Sequence, residues 1–139
     1  MTEGKEIDTV KYLDFVNKTT SDPSSDFAAF LTRATKLEAE DGADFPRLLT
    51  SAIGIAAEAG EFAEVVKKIA FQGKEYDEGN IFHMKRELGD IMWYVAQACI
   101  ALNTDLNEIL EMNYDKLSAR YPKGTFDVYY SENRAEGDL

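Results

Sequence analysis

The chain has 139 residues, enough for one domain with a real core and too few for two ordinary ones. A hydrophobic fraction of 45% with only three prolines excludes a largely disordered chain. The net charge of -11 excludes a general grip on a nucleic-acid backbone, which needs clustered Lys and Arg; a small anionic substrate is still compatible, because divalent cations can bridge carboxylates to phosphate oxygens.

Met1 to Asp8 is charged and lacks the apolar run of a signal peptide. Residues 7–20 contain a short amphipathic piece carried by Val10, Leu13 and Phe15. Residues 19–26 (TTSDPSSD) read as a loop, rich in turn formers and holding Pro23. Phe27 to Glu40 is a first predicted helix, with Phe27, Phe30, Leu31, Ala34 and Leu37 at helical spacing and Asp41-Gly42 as its stop. The second starts near Pro46, which suits a first-turn position. Leu48, Ala52, Ile55, Ala59, Phe62, Val66 and Ile69 predict its core-facing stripe, and Gln72-Gly73 ends it.

A polar connection over 74–80 leads to the third helix, where Ile81, Met84, Leu88, Ile91, Val95, Ala98 and Leu102 follow a three-four repeat. Its apolar run from Ile91 to Leu102 is far below the roughly 20 residues that cross a bilayer, so the chain reads as soluble and cytoplasmic, with no membrane partner. Cys99 is the only cysteine, which rules out an intramolecular disulfide; a small buried hydrophobe is its simplest role. Asp105 with Glu108 has capping-box spacing for a fourth helix, whose apolar side is Leu106, Ile109, Leu110 and Leu117. Pro122 and Gly124 stop it. The tail is polar apart from Phe126, Val128, Tyr129 and Tyr130, and the sequence leaves open whether it is an ordered arm or a frayed end. The fold class is therefore all-α, a helical bundle of about four helices completed by oligomerisation, since the apolar face of the third helix is longer than its short neighbours cover.

Glu58 and Glu61 lie three apart on the second predicted helix, and Glu87 and Asp90 three apart on the third. That spacing puts each pair on one face. Stepping about 100° per residue places Glu58 and Glu87 at the edges of their apolar stripes, with Glu61 and Asp90 farther out. If the two helices pack as neighbours, four carboxylates converge, repel one another and raise their own pKa values until a cation relieves them. Oxygen-only ligands favour a hard ion, Mg²⁺ or Mn²⁺, over zinc. Taken singly, a Glu-x-x-Glu on a helix is usually a solvated face. What singles these pairs out is their setting among apolar residues, whereas Glu64 falls on the far side of its helix and reads as solvated.

The run from Gly54 to Glu64 (GIAAEAGEFAE), followed by Glu87 to Tyr94 (ELGDIMWY), resembles the Glu-x-x-Glu, spacer, Glu-x-x-Asp signature of MazG-like pyrophosphohydrolases. The likeness continues through Asn113, Lys116, Leu117, Arg120, Tyr121 and Pro122. It extends into the tail at Phe126, Ser131, Asn133 and Arg134, and so covers roughly residues 48–134. Ala57 departs from it, since many members carry a further Glu there. The resemblance implies one domain over 1–139, with an N-terminal segment to about 24, a helical core over 25–121 and a tail over 122–139. It implies hydrolysis of a nucleoside or deoxynucleoside triphosphate to the monophosphate and pyrophosphate, in nucleotide-pool control.

The metal ligands on that reading are Glu58, Glu61, Glu87 and Asp90, and either Glu58 or Glu61 handles the attacking water. Lys116 and Arg120 look like phosphate contacts, and Asn113 shares their face. Lys68 is a further substrate candidate, although a lysine near a helix C-terminus is favoured by the dipole in any case. Trp93 is placed to stack on a base or to pack in a subunit interface. His83 lies on the flank of Glu87 and Asp90 and reads as solvated. A homodimer or homotetramer is expected. A di-iron bundle needs Glu-x-x-His pairs, which the single histidine does not provide. The remaining alternative is an acidic helical interaction module without catalysis, which a product assay on nucleotides separates from the enzyme.

Overall fold

In the computed structural model of the protein, which describes residues 6–138, seven helices follow one another: α1 (Thr9–Thr19), α2 (Asp22–Ser25), α3 (Phe27–Ala39), α4 (Phe45–Phe71), α5 (Glu78–Ala101), α6 (Leu106–Arg120) and α7 (Val128–Glu132). Residues 1–5, part of the segment read for a signal peptide, and Leu139 lie outside the described residues. No strand occurs among the described residues, as the periodicity predicts. Aspartate starts most of these helices. Asp8, Asp26, Asp77, Asp105 and Asp127 each accept a hydrogen bond from a backbone N–H of the first turn, so part of the acidic excess serves as helix caps. Gly42 and Gly73, at φ +70° each, follow α3 and α4, as the sequence expects of a glycine stop.

The chain divides into two units at Phe45–Pro46. In the first, Asp26 caps α3, the Phe45 ring lies 6.1 Å from Phe30, and the Phe45 N–H donates to Glu38 Oε1 at 2.8 Å. The predicted loop over 19–26 is not all loop: Pro23, in the first turn, helps to set one turn of helix, α2.

In the second unit, α4 and α5 run antiparallel. Arg47 Nη1 donates to Gln97 Oε1 at 2.8 Å, Gly54 lies against the Tyr94 ring, and Glu58 lies beside Glu87. Rising numbers on α4 thus meet falling numbers on α5. The covered positions of α4 include Leu48, Ser51, Gly54, Ile55, Glu58, Phe62, Val65 and Ile69, and those of α5 include Ile81, Met84, Glu87, Ile91, Tyr94, Ala98 and Ala101. Both seams keep the three-four repeat. Each departs from the predicted stripe at alternate members by one residue: Ala52, Ala59 and Val66 are exposed while Ser51, Glu58 and Val65 are covered, and Leu88 is exposed while Glu87 is buried. The reason is steric. A Cβ at Gly54 would overlap the Tyr94 ring, so the glycine fixes which side of α4 meets α5. The Ser51 hydroxyl, buried in that seam, donates to Leu48 O at 2.9 Å.

The tail is an ordered arm over the described residues. The Tyr121 and Phe126 rings pack at a 45° tilt with centroids 5.8 Å apart, Asp127 caps α7, and Arg120 grips Asp138.

Candidate active site

Because the seam runs one residue off the hydropathy stripe, Glu58 and Glu87 lie in it rather than beside it. One carboxylate oxygen from each of Glu58, Glu61 and Glu87 lies within 4.8 Å of the other two, with Glu61 exposed, Glu58 half-buried and Glu87 only 6% exposed. Asp90 stands outside this triad, yet its charge reaches it. Loss of solvent raises the Glu58 pKa above the ordinary range, and the carboxylates of Glu61, Asp90 and Glu87 add to the rise. The cations of α6 are not among the groups that shift it.

Glu87 is the most constrained of the four. Its Oε1 lies 2.8 Å from His83 Nε2, one turn earlier on α5, and its Oε2 is buried without a hydrogen-bond partner. A buried carboxylate oxygen left bare is costly. Three converging carboxylates, one with a bare oxygen, are what a hard dication would satisfy, so the residues fit the oxygen-ligated metal that the sequence suggests. His83 is exposed to solvent, as the sequence expects, and its Nε2 in addition lies 2.8 Å from Glu87 Oε1.

Beside Glu61 opens a cavity of about 310 Å³, lined among others by Gly60, Glu64, Lys68, Lys74 and His83. Lys68 reaches it but is paired with Glu64 at 3.1 Å; Lys67 takes the other Glu64 oxygen at 2.6 Å, and the two lysines hold that carboxyl below its ordinary range. Glu64 is therefore exposed, as expected, and also lines the cavity. Lys74 was missed as a cavity residue. It sits in the polar connection, where no periodicity says which way a side chain turns. Trp93 is exposed and packs edge-on against Tyr94, ring centroids 4.9 Å apart, on the ring that covers Gly54.

The α6 residues form a second cluster. Asn113 lines a cavity of about 440 Å³ with Tyr121, Thr125 and Phe126 of the tail. Arg120 makes a two-pronged grip on Asp138, Nε to Oδ2 at 2.7 Å and Nη2 to Oδ1 at 2.6 Å, both side chains nearly buried. The pair shift each other: Arg120 is held more firmly protonated, and the Asp138 carboxyl falls below its ordinary range through Arg120, with Lys116 and Arg134 assisting. Lys116 thus belongs to this cluster too.

Comparison with known proteins agrees with the site's motifs. Residues 48–125 match the MazG nucleotide pyrophosphohydrolase domain, a span holding all four carboxylates together with Asn113, Lys116 and Arg120. The Gene 37 protein of Mycobacterium phage L5 is 41% identical over 69 residues, which cover 48% of this chain and 60% of that protein. No solved structure gives a significant match.

Proposed function

The chain belongs to the MazG nucleotide pyrophosphohydrolase domain family, and from that premise we propose that it hydrolyses a nucleoside or deoxynucleoside triphosphate to the monophosphate and pyrophosphate with the help of Mg²⁺ or Mn²⁺. The observation that carries this reading is the triad of Glu58, Glu61 and Glu87, with Glu87 Oε2 buried and bare. Glu58, Glu61, Glu87 and Asp90 would hold the cation. When bound, it supplies charge neutralisation at the phosphate oxygens and a lowered pKa for water.

The chain's own residues do the rest. Glu58, half-buried beside Glu61 and Glu87, is one of two carboxylates placed to accept and pass on the proton of the attacking water. Glu61 is the exposed alternative at the mouth of the cavity and could orient the same water. Lys68, at the cavity wall, is placed for a phosphate oxygen once it leaves Glu64. Arg120 would exchange the two oxygens of Asp138 for two of phosphate, a like-for-like swap for a planar fork. Lys116 and Asn113 join it on that face, and Trp93 offers an exposed ring for a base.

We read residues 1–139 as one such domain and expect it to act as a homodimer or homotetramer. Leu88, Met92, Ile100 and Leu102, all exposed along and just beyond α5, form the apolar face that a second copy would cover. Sedimentation giving a monomer at micromolar concentration would count against it. No helix among the described residues is long and apolar enough to cross a membrane.

The test is a panel of NTPs and dNTPs incubated with Mg²⁺, with products separated. Monophosphate plus pyrophosphate is the expected result. No turnover across the panel, or diphosphate plus phosphate, overturns the proposal and favours the acidic interaction module.

A further inference from the structure

His83 is the one histidine in the chain, and it touches the most buried of the site's carboxylates. The contact follows from helix geometry, since residues four apart on α5 share a face. Nε2 stands 2.8 Å from Glu87 Oε1, the length of a strong hydrogen bond to a carboxylate. Glu87 Oε2 has no such partner and is shut away from water. The two oxygens are therefore unequal: one lies 2.8 Å from an imidazole nitrogen, and the other is buried with no hydrogen-bond partner.

That inequality bears on which cation fits. Ca²⁺ takes six to eight oxygens and readily binds both oxygens of one carboxylate, whereas Mg²⁺ holds to six, near-octahedral, with single-oxygen ligands about 2.0–2.1 Å away. Two-oxygen coordination by Glu87 would divide the lone pairs of Oε1 between His83 and the cation and weaken the contact with each. Coordination through one oxygen alone would leave the contact with His83 undisturbed. Outer groups that donate to a ligating carboxylate commonly fix its orientation.

We propose that His83 is a positioning residue that holds Glu87 to single-oxygen coordination and thereby tunes the site to a small octahedral dication, Mg²⁺ or Mn²⁺, against Ca²⁺. This rests on the metal reading of the carboxylate triad, but it assigns a role that the triad alone does not require. The ring is half-exposed, and alanine is a strong helix former, so removing it leaves α5 intact.

The test is calorimetric titration of metal-free protein with MgCl₂, MnCl₂ and CaCl₂, without nucleotide, on wild type, His83→Ala and His83→Gln. Loss of the ring should weaken Mg²⁺ and Mn²⁺ binding about tenfold, while Ca²⁺ binding holds or strengthens, so the preference for the smaller ions shrinks. Glutamine keeps an N–H donor at similar reach and should restore most of that preference. An unchanged preference in His83→Ala, or a His83→Gln variant that behaves like it, overturns the inference alone. A wild-type protein that takes up none of the three cations overturns the metal site as well.

Discussion

Two charged clusters in the second unit are built on opposite terms. At Arg120 and Asp138 the charges are opposite, the geometry is two-pronged, and each group pulls the other's pKa toward its ionised form. At Glu58, Glu61 and Glu87 the charges are alike, one pKa is pushed toward the neutral form, and one buried oxygen has nothing to bond. The first cluster satisfies its own groups as folded, while the second leaves a buried oxygen without a partner. A cluster that stores unfavourable electrostatics in a helix seam is where chemistry is expected, and a satisfied pair is where structure is held. The family's motif residues fall in both clusters, so motif membership alone does not separate the two roles.

The largest effect expected from breaking this contrast is on turnover. Glu87→Gln keeps the shape of the side chain and removes its charge; it should cut triphosphate hydrolysis more than about 100-fold and abolish cation binding, with helical content by circular dichroism unchanged. Glu61→Gln and Asp90→Asn should do the same to turnover, and activity surviving either would remove that residue from the metal site. Gly54→Val tests the frame that sets the two glutamates face to face. Its side chain would meet the Tyr94 ring, and a loss of about 1–3 kcal/mol in urea unfolding is expected. A neutral result would mean that the Gly54 contact does not fix the seam.

Asp138→Asn should act in the opposite sense to a site mutation. Limited proteolysis should cut the tail severalfold faster, while a lower KM for the triphosphate would indicate that phosphate and Asp138 compete for Arg120. An unchanged KM would leave Arg120 as an anchor for the tail.

The smallest effect is the pH dependence of the metal-free protein, and the two clusters should contribute with opposite sign. The raised Glu58 pKa means that the folded state holds a proton the unfolded state has released. Its contribution is present below the ordinary glutamate range and is lost as pH rises through the raised value. Asp138 is lowered, so its contribution is present above the ordinary aspartate range and is lost as pH falls through the lowered value. Thermal melts in chelator across the acidic range should register both. Glu58→Gln should remove the first loss and Asp138→Asn the second; a Glu58→Gln variant with the parent's profile would contradict the electrostatic account of the triad.

The sequence by itself determined the four longest helices and most of their ends, because caps and glycine stops are local; the short α2 and α7 it left in loop and tail. Asp105 acts where its position says it should, as do Gly42 and Gly73. It also carried the four carboxylates and their spacing, since two turns of helix need no tertiary information to pair Glu58 with Glu61 or Glu87 with Asp90. Tertiary structure alone decided which stripe became the seam. An α4 rich in alanine and glycine offers two adjacent apolar faces, and hydropathy favours Ala52, Ala59 and Val66 where packing chose Ser51, Glu58 and Val65. That choice turns on one ring against one glycine, a contact between residues forty positions apart. The same rotation buries Glu87 and leaves one of its oxygens bare beside His83, which no periodicity in the chain could register.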